Sequence, residues 1–266
     1  MSQLSFDFAV DAVSTDAVST KPHLDYQLLV SKRARRLSLR VEPGRGIVVT
    51  VPQRFPRKAI PAFVEENRGW IESALSEIEQ QTPERFREWP PTRLALPAIR
   101  SVLVLRYARE AERNVAETGL SAFELPEEEG VTVVEVTLQS DPADRKGVVQ
   151  EIAARLSSIA KQILPGRLSV HAARHCLHYS RAQIRGQRTL WGSCSSNGTI
   201  SLNYKLLFLP PSLMDYVLLH ELAHTVCMDH SAKFWRVLGR IHPDAKAADD
   251  KLKLAGREVP AWLELA

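Results

Sequence analysis

Apolar residues recur at every second position in two stretches near the start of the chain, which is the period of a β-strand. These stretches cover residues 37–41 and 47–51, and a segment with two glycines, residues 42–46, lies between them. Glycine allows the tight turn that a hairpin needs. The pattern therefore predicts a β-hairpin, and a helix follows over about residues 57–79.

Prolines at 83, 90, 91 and 97 mark a connecting region after that helix. The later predicted elements are strands at 102–107 and 131–138, a helix over about 144–163, a helix ending near Cys176, and strands at 180–185 and 198–206. In the last strand an apolar side alternates with a polar side that carries Asn203, a candidate substrate contact. If this strand lies at a sheet edge it could pair with an extended peptide; the alternative is an internal strand with both edges covered.

These elements predict an α+β protein. The polar tail, residues 1–23, has little to bury, so we expect it to be disordered. A β-rich region with a helix and a variable connector is predicted over residues 24–143, and a second domain over residues 144–266. A chain of 266 residues with 44% hydrophobic content can bury one substantial core and a smaller satellite.

The most informative chemical signal is the motif His220-Glu221-Leu222-Ala223-His224, in a segment with helical character. A capping box of Ser212 and Asp215 would begin that helix. Two histidines four residues apart share one face of a helix, so both imidazoles can reach one metal ion. Glu221 faces another direction and can act as the general base toward a water that the metal activates. The spacing predicts a zinc peptidase.

The third ligand has three candidates. A turn before the helix that is predicted to start at Ser231 would return His230 to the ion. Cys227 and Asp229 are the rivals, but cysteine ligands more often mark closed structural sites, and Asp229 would more naturally accept the spare N–H of a ligand histidine. We therefore predict one zinc ion held by three histidines, since an open three-ligand site favours zinc.

Other reactive side chains lie near this motif. Tyr216, one turn before the first histidine, could donate its hydroxyl to a developing oxyanion, although a core tyrosine is the alternative. Residues 191–196 predict a turn that either shapes the cleft or is a corner anchored by Trp191 with Cys194 buried. As a nucleophile, Cys194 would need a separate histidine base. We therefore expect this turn to be structural.

Two further groups are interpreted as structural. His171 and His175 also lie four residues apart, but their motif contains no carboxylate, so a solvated helical face is expected rather than a second metal site. The three cysteines are widely spaced, which predicts reduced, mostly buried thiols. A secretory signal and an apolar run of eighteen residues are both missing from the sequence, so we expect a cytoplasmic protein without a membrane partner.

Several segments together resemble the signatures of the YgjP-like metallopeptidases, which are bacterial relatives of the SprT-like and minimal gluzincin proteins. The matching segments are Leu190–Ser196, Gly198–Tyr204, His220–His224, Asp229–Ser231 with Phe234-Trp235, and, near the N-terminus, Tyr26–Val51 and Arg68–Ile71. The resemblance implies a zincin-like catalytic domain over residues 144–266, preceded by a small hairpin-plus-helix region. It also implies zinc ligands at His220, His224 and His230, with Glu221 as catalytic base. Leu190 departs from the family, which usually has a basic residue there.

Charge offers a rival function. The chain has 35 Lys and Arg against 31 Asp and Glu, a net charge of +4. A basic set on the first hairpin could contact nucleic acid, and this basic set comprises Lys32, Arg33, Arg35, Arg36 and Arg40. A DNA-associated SprT-like protease and a zinc-stabilised nucleic-acid-binding module are thus alternatives. Basic residues also keep an exposed strand edge soluble.

Overall fold

A computed structural model describes residues 24–42, 44–109 and 130–266, together with the backbone of two short strands. Helices and small sheets alternate along the chain, which confirms the predicted α+β class. In the described part, no helix is both long enough and apolar enough to cross a membrane. The predicted disordered tail lies outside the described residues, apart from the strand Leu4–Ser5.

The chain divides into two compact units, Met1–Arg87 and Glu88–Ala266. This division differs from the expected boundary between residues 143 and 144. The reason is that strand residues such as Leu94 and Leu103 share one hydrophobic core with the long helix that follows residue 144. Because that core is continuous, residues 88–143 belong with the second unit.

The first unit is a four-stranded sheet with two helices, in the strand order β1-β3-β4-β2. Its elements are β1 (Leu4–Ser5), β2 (Tyr26–Ser31), β3 (Ser38–Glu42), β4 (Gly46–Pro52), α1 (Ile60–Glu66) and α2 (Arg68–Gln81). β3 and β4 form the predicted antiparallel hairpin, and Gly44 and Gly46 take the positive φ angles, 77° and 70°, that its turn requires. The predicted helix is interrupted at Asn67, whose side chain donates to the Phe63 carbonyl at 2.8 Å.

The described part of the second unit contains two further sheets and four α-helices. Its elements are β5 (Arg93–Leu96), β6 (Ser101–Tyr107), β7 (Glu124–Glu128), β8 (Val131–Leu138), α3 (Arg145–Arg174), β9 (Arg181–Arg185), β10 (Gly192–Cys194), β11 (Thr199–Asn203), α4 (Pro211–His224), α5 (Ala232–Ile241) and α6 (Ala245–Leu254). The sheet orders are β5-β6-β8-β7 and β10-β11-β9. The predicted strands β6 and β8 are confirmed, and they pair in parallel.

The two helices predicted between residues 144 and 176 are one helix, α3, which contains Pro165. Proline removes a backbone N–H and usually kinks or ends a helix. Here an apolar face continues past it, because Leu164, Leu168 and Ala172 are all buried. Packing along this face offsets the cost of the proline, so the helix runs on and forms the wall against which α4 packs.

The strand before the zinc-motif helix is internal rather than at an edge. β11 pairs with β10 on one side and with β9 on the other, so both of its edges are covered. Its apolar and polar sides are both buried, with Ser201 and Asn203 exposed by only 7% and 2%. The segment predicted as a plain turn contains β10, and this strand is one of the two edge strands of the sheet.

Candidate active site

Helix α4 carries the first two histidines and the glutamate. It begins at Pro211, where a missing backbone N–H costs nothing because the first turn of a helix has no partner for it. The predicted capping box is wrong, because no side chain caps the helix. Asp215 instead accepts two hydrogen bonds from Arg167, at 2.6 and 2.7 Å, and lies 2.9 Å from His171 Nε2. These bonds join α4 to α3.

The three predicted ligand histidines converge. His220 Nε2 lies 3.1 Å from His230 Nε2 and 3.2 Å from His224 Nε2, and the three ligand atoms all lie within 4.8 Å of one another. Ligands about 2.0–2.1 Å from a tetrahedral ion stand roughly 3.3–3.4 Å apart, so the observed spacing fits a zinc-sized cation. Among the described residues, this is the one group of three or more potential ligands that could hold a metal.

Each of the two helix histidines has a partner for its other ring nitrogen. His224 Nδ1 lies 3.0 Å from the carbonyl oxygen of Cys227, which can only accept, so this nitrogen carries the proton. His220 Nδ1 lies 3.4 Å from the hydroxyl of Tyr216. A protonated Nδ1 leaves the Nε2 lone pair free for a metal. The orientation of both rings therefore suits metal binding.

Phe234 on α5 forms an apolar wall behind the three rings. Its ring centroid lies 4.9, 4.5 and 4.8 Å from those of His220, His224 and His230, and its side chain is fully buried. One aromatic ring thus packs on all three imidazoles at once. Phe234 lies in the helix that the sequence predicts to start at Ser231, but the sequence gave no sign of this contact.

The same surroundings hold the helix histidines in the neutral form that a metal needs. Burial, followed by the neighbouring imidazoles, lowers the pKa of His220 to about 4. Burial also lowers the pKa of His224, although the bond to the Cys227 carbonyl opposes it. A metal competes only with protons for these nitrogens, so a lowered pKa keeps them available at neutral pH.

Glu221 lies on α4 next to His220 and is only 5% exposed. Burial raises the pKa of its carboxyl group to about 8. Its Oε2 is buried, and the described residues give it no hydrogen-bond partner. A buried carboxylate oxygen without a partner is costly unless water, substrate or a cation faces it. One oxygen of this carboxyl group is therefore buried without a hydrogen-bond partner among the described residues.

β10 lies against Glu221 and explains a glycine in the sequence. A Cβ at Gly192 would lie 2.7 Å from Glu221 Oε1, 2.8 Å from its Cγ and 3.0 Å from its Cδ. Cys194 lies two residues along the same strand. Burial raises the pKa of its thiol, and the nearby charge of Glu221 raises it further. A raised pKa argues against a nucleophilic thiolate. The predicted structural turn is thus a wall of the site.

The two candidate substrate contacts are engaged inside the protein. Tyr216 is fully buried, and its hydroxyl donates to Asp249 Oδ1 at 3.0 Å. Asn203 is 2% exposed; its amide nitrogen donates to the carbonyl oxygens of Gln187 and Leu190, and its Oδ1 accepts from the Lys205 amide. Both assignments to substrate need correction, because neither side chain has a free surface.

The turn that returns His230 to the site is built by Asp229. Its Oδ1 accepts from the thiol of Cys227 at 3.0 Å and from the amide of Ser231 at 3.4 Å. The bond from the Cys227 thiol, and after it the bonds from Ser231, lower the pKa of Asp229. Asp229 was expected to accept a hydrogen bond from a ligand histidine, but the carbonyl of Cys227 accepts the bond from His224 instead.

The remaining structural interpretations are only partly right. His171 is 9% exposed and bonded to Asp215, so it does not lie on a solvated face. The cysteines are free, as expected, but Cys176 is exposed, and Cys194 and Cys227 are half-buried. Cys176 has left-handed backbone, with φ of 53°, two residues after α3 ends at Arg174.

The basic set lies entirely in the first unit, and all five of its side chains are exposed. Exposure agrees with either a solvated strand edge or a contact surface. The three candidate ligand histidines lie in the second unit. A role of the basic set in nucleic-acid binding stays a prediction that no feature of the site supports.

Comparison with known proteins identifies a family and similar solved structures. A family model described as "YgjP-like, metallopeptidase domain" matches residues 35–255. The zymogen of Pyrococcus abyssi abylysin, a metallopeptidase, has 28% identity and a TM-score of 0.32, covering 35% of this chain and 93% of that one. The metallopeptidase zymogen of Methanocaldococcus jannaschii jannalysin has 20% identity and a TM-score of 0.31, covering 36% and 96%. A search of curated proteins found no match.

Proposed function

Because the chain belongs to the YgjP-like metallopeptidase family, we propose that it is a zinc peptidase in which Glu221 is the general base. Membership confirms the resemblance that the motifs indicated. One observation supports the zinc site and the general base most directly. The Nε2 atoms of His230 and His224 lie 3.1 and 3.2 Å from Nε2 of His220, and the next residue, Glu221, carries a buried carboxyl group. His220, His224 and His230 would hold one zinc ion.

The chain supplies three candidate ligands for one metal ion. Three imidazole ligands leave a fourth position free, which is the arrangement of catalytic rather than structural zinc sites. Zinc bound there would supply Lewis-acid activation of a water and of the scissile carbonyl. Cys227 and Tyr216 orient two of the rings, and Phe234 keeps water from their outer side.

Glu221 would move the proton. It takes a proton from the attacking water and later delivers it to the leaving amine. Burial raises its pKa to about 8, which favours the protonated form, whereas a nearby cation favours the carboxylate. The two influences oppose each other, so the pKa of the loaded site should fall below that value, toward the range in which one group can both accept and donate.

Substrate recognition is proposed at β10. β11 covers one edge of this strand, and the described residues leave its other edge unpaired. An extended peptide could add to that edge through backbone hydrogen bonds, which tolerate many sequences. Gly192 on the same strand touches Glu221, so a peptide bound there would lie beside the proton acceptor.

A cytoplasmic location remains a prediction from sequence.

Glu221→Gln tests the proposal. The amide has nearly the same shape but cannot accept the proton, so zinc content and thermal stability should persist while cleavage of a peptide library is lost. Glu264→Gln, which changes a carboxylate ion-paired with Lys205 and Arg188 instead, is the matched control and should keep cleavage. Wild-type-like cleavage by Glu221→Gln, or no cleavage by zinc-loaded wild type, would contradict the proposal.

A further inference from the structure

Three side chains from two helices form a hydrogen-bond chain that ends at a metal-site histidine. Asp249 on α6 accepts from the hydroxyl of Tyr216 at 3.0 Å, and that hydroxyl lies 3.4 Å from His220 Nδ1. Tyr216 is fully buried between them. Asp249 lies 29 residues after His220 and in no recognisable motif, so sequence alone could not connect them.

The chemistry of the chain fixes the direction of every proton. Asp249 pairs with Lys253, with 3.2 Å between Oδ2 and Nζ, and a carboxylate can only accept a hydrogen bond. The Tyr216 hydroxyl therefore donates its single proton in the hydrogen bond to Asp249. The tyrosine oxygen has only lone pairs left for His220, so Nδ1 must carry the proton. Nε2 of His220 then has its lone pair free.

We propose that Asp249 is a positioning residue, which acts through Tyr216 to hold His220 in the tautomer and orientation that bind the metal. This inference rests on the proposed zinc site. It gives His220 the same control that His224 receives from the carbonyl of Cys227. Partners of this kind typically contribute 10- to 100-fold to metal affinity.

Zinc affinity, measured by competition with a chelator, tests the chain in the full-length protein. Asp249→Ala and Tyr216→Phe should each weaken zinc binding by about 10- to 100-fold, and the double variant should lose little more, because both act through one path. Asp250→Ala is the matched control, since Asp250 is its neighbour on α6 and also pairs with Lys253, at 2.8 Å. It should bind zinc like wild type.

Two further readouts separate positioning from simple stabilisation. Histidine ¹⁵N spectra of the metal-free protein should give a protonated Nδ1 for His220 in wild type and a mixture of tautomers in Asp249→Ala. Thermal unfolding of the metal-free variants detects general damage, and Tyr216→Phe keeps the buried ring if Asp249→Ala does not fold. Equal zinc affinities of Asp249→Ala and Asp250→Ala, additive losses in the double variant, or an unchanged tautomer would overturn the inference. Wild type that binds zinc without cleaving peptides would count against the peptidase proposal alone, whereas wild type that binds no zinc would overturn both.

Discussion

Gly192→Ala should disable the site without touching a metal ligand. The added Cβ would lie 2.7 Å from Glu221 Oε1 and 2.8 Å from its Cγ. Carbon atoms in favourable contact lie about 3.5–4.0 Å apart, so the Glu221 side chain must move by roughly 0.7–1.2 Å. Strain of about 1–3 kcal/mol is typical for an overpacked position.

A displacement of about 1 Å at a catalytic group can cost roughly 100-fold in rate. We therefore expect kcat to fall by about 10- to 100-fold, with KM changed much less, because the carboxylate acts on the proton rather than on substrate binding. Steady-state cleavage of a fluorogenic peptide, with zinc content measured on the same samples, gives both values. Zinc content should stay at the wild-type level.

Gly239→Ala is the control, since a Cβ at Gly239 on α5 meets nothing within 4 Å. It should keep wild-type kcat. A Gly192→Ala protein that folds, holds zinc and retains more than half of the wild-type kcat would refute the inferred contact with Glu221. Loss of zinc in that variant would also count against it, because the histidines would then be the groups disturbed.

Three other predictions concern stability. Burial alone would raise the pKa of Asp215, but bonds from Arg167 and His171 bring that pKa well below its usual value. The ionised Asp215 therefore stabilises the fold fully above the unfolded pKa of about 3.9, and this stabilisation is lost as pH falls through the lower native pKa. Asp215→Asn should thus lower the free energy of urea unfolding by about 1–3 kcal/mol at neutral pH, a difference that shrinks below about pH 4; a constant difference would contradict this. Phe234→Ala, which removes a fully buried ring, should cost about 3–5 kcal/mol in the same assay, and a cost below 1 kcal/mol would be inconsistent with its burial. Removing zinc with a chelator should lower the free energy of unfolding by about 2.7 kcal/mol relative to protein with free zinc at 100 times Kd, whereas melting that ignores zinc would argue against the site.

The sequence pattern alone predicted those elements whose structure follows from the spacing of apolar residues along the chain. The β3–β4 hairpin follows from alternation and two turn glycines, and α4 follows from helical periodicity after two prolines. The spacing of His220, Glu221 and His224 then places two imidazoles on one helix face, and the structure brings His230 to them. These features depend on neighbours in sequence, which is why the sequence predicted them.

Long-range packing decided the features that were missed. Pro165 lies inside α3 because a buried face continues past it, and β11 is internal because β9 and the unpredicted β10 flank it. Tyr216 could not be assigned from its position on the helix, since its partner Asp249 lies on α6. A glycine whose absent side chain leaves room for Glu221 gives no periodic signal either.

Zinc K-edge X-ray absorption on the wild-type protein and on Glu221→Gln would examine the ligand set itself. Three imidazoles should give a shell of nitrogen at about 2.0–2.1 Å with no sulfur near 2.3 Å, and the two spectra should agree because Glu221 does not bind the ion. A sulfur shell, which would indicate Cys227 or Cys194, or a spectrum that changes in Glu221→Gln would contradict a three-histidine site with a free glutamate.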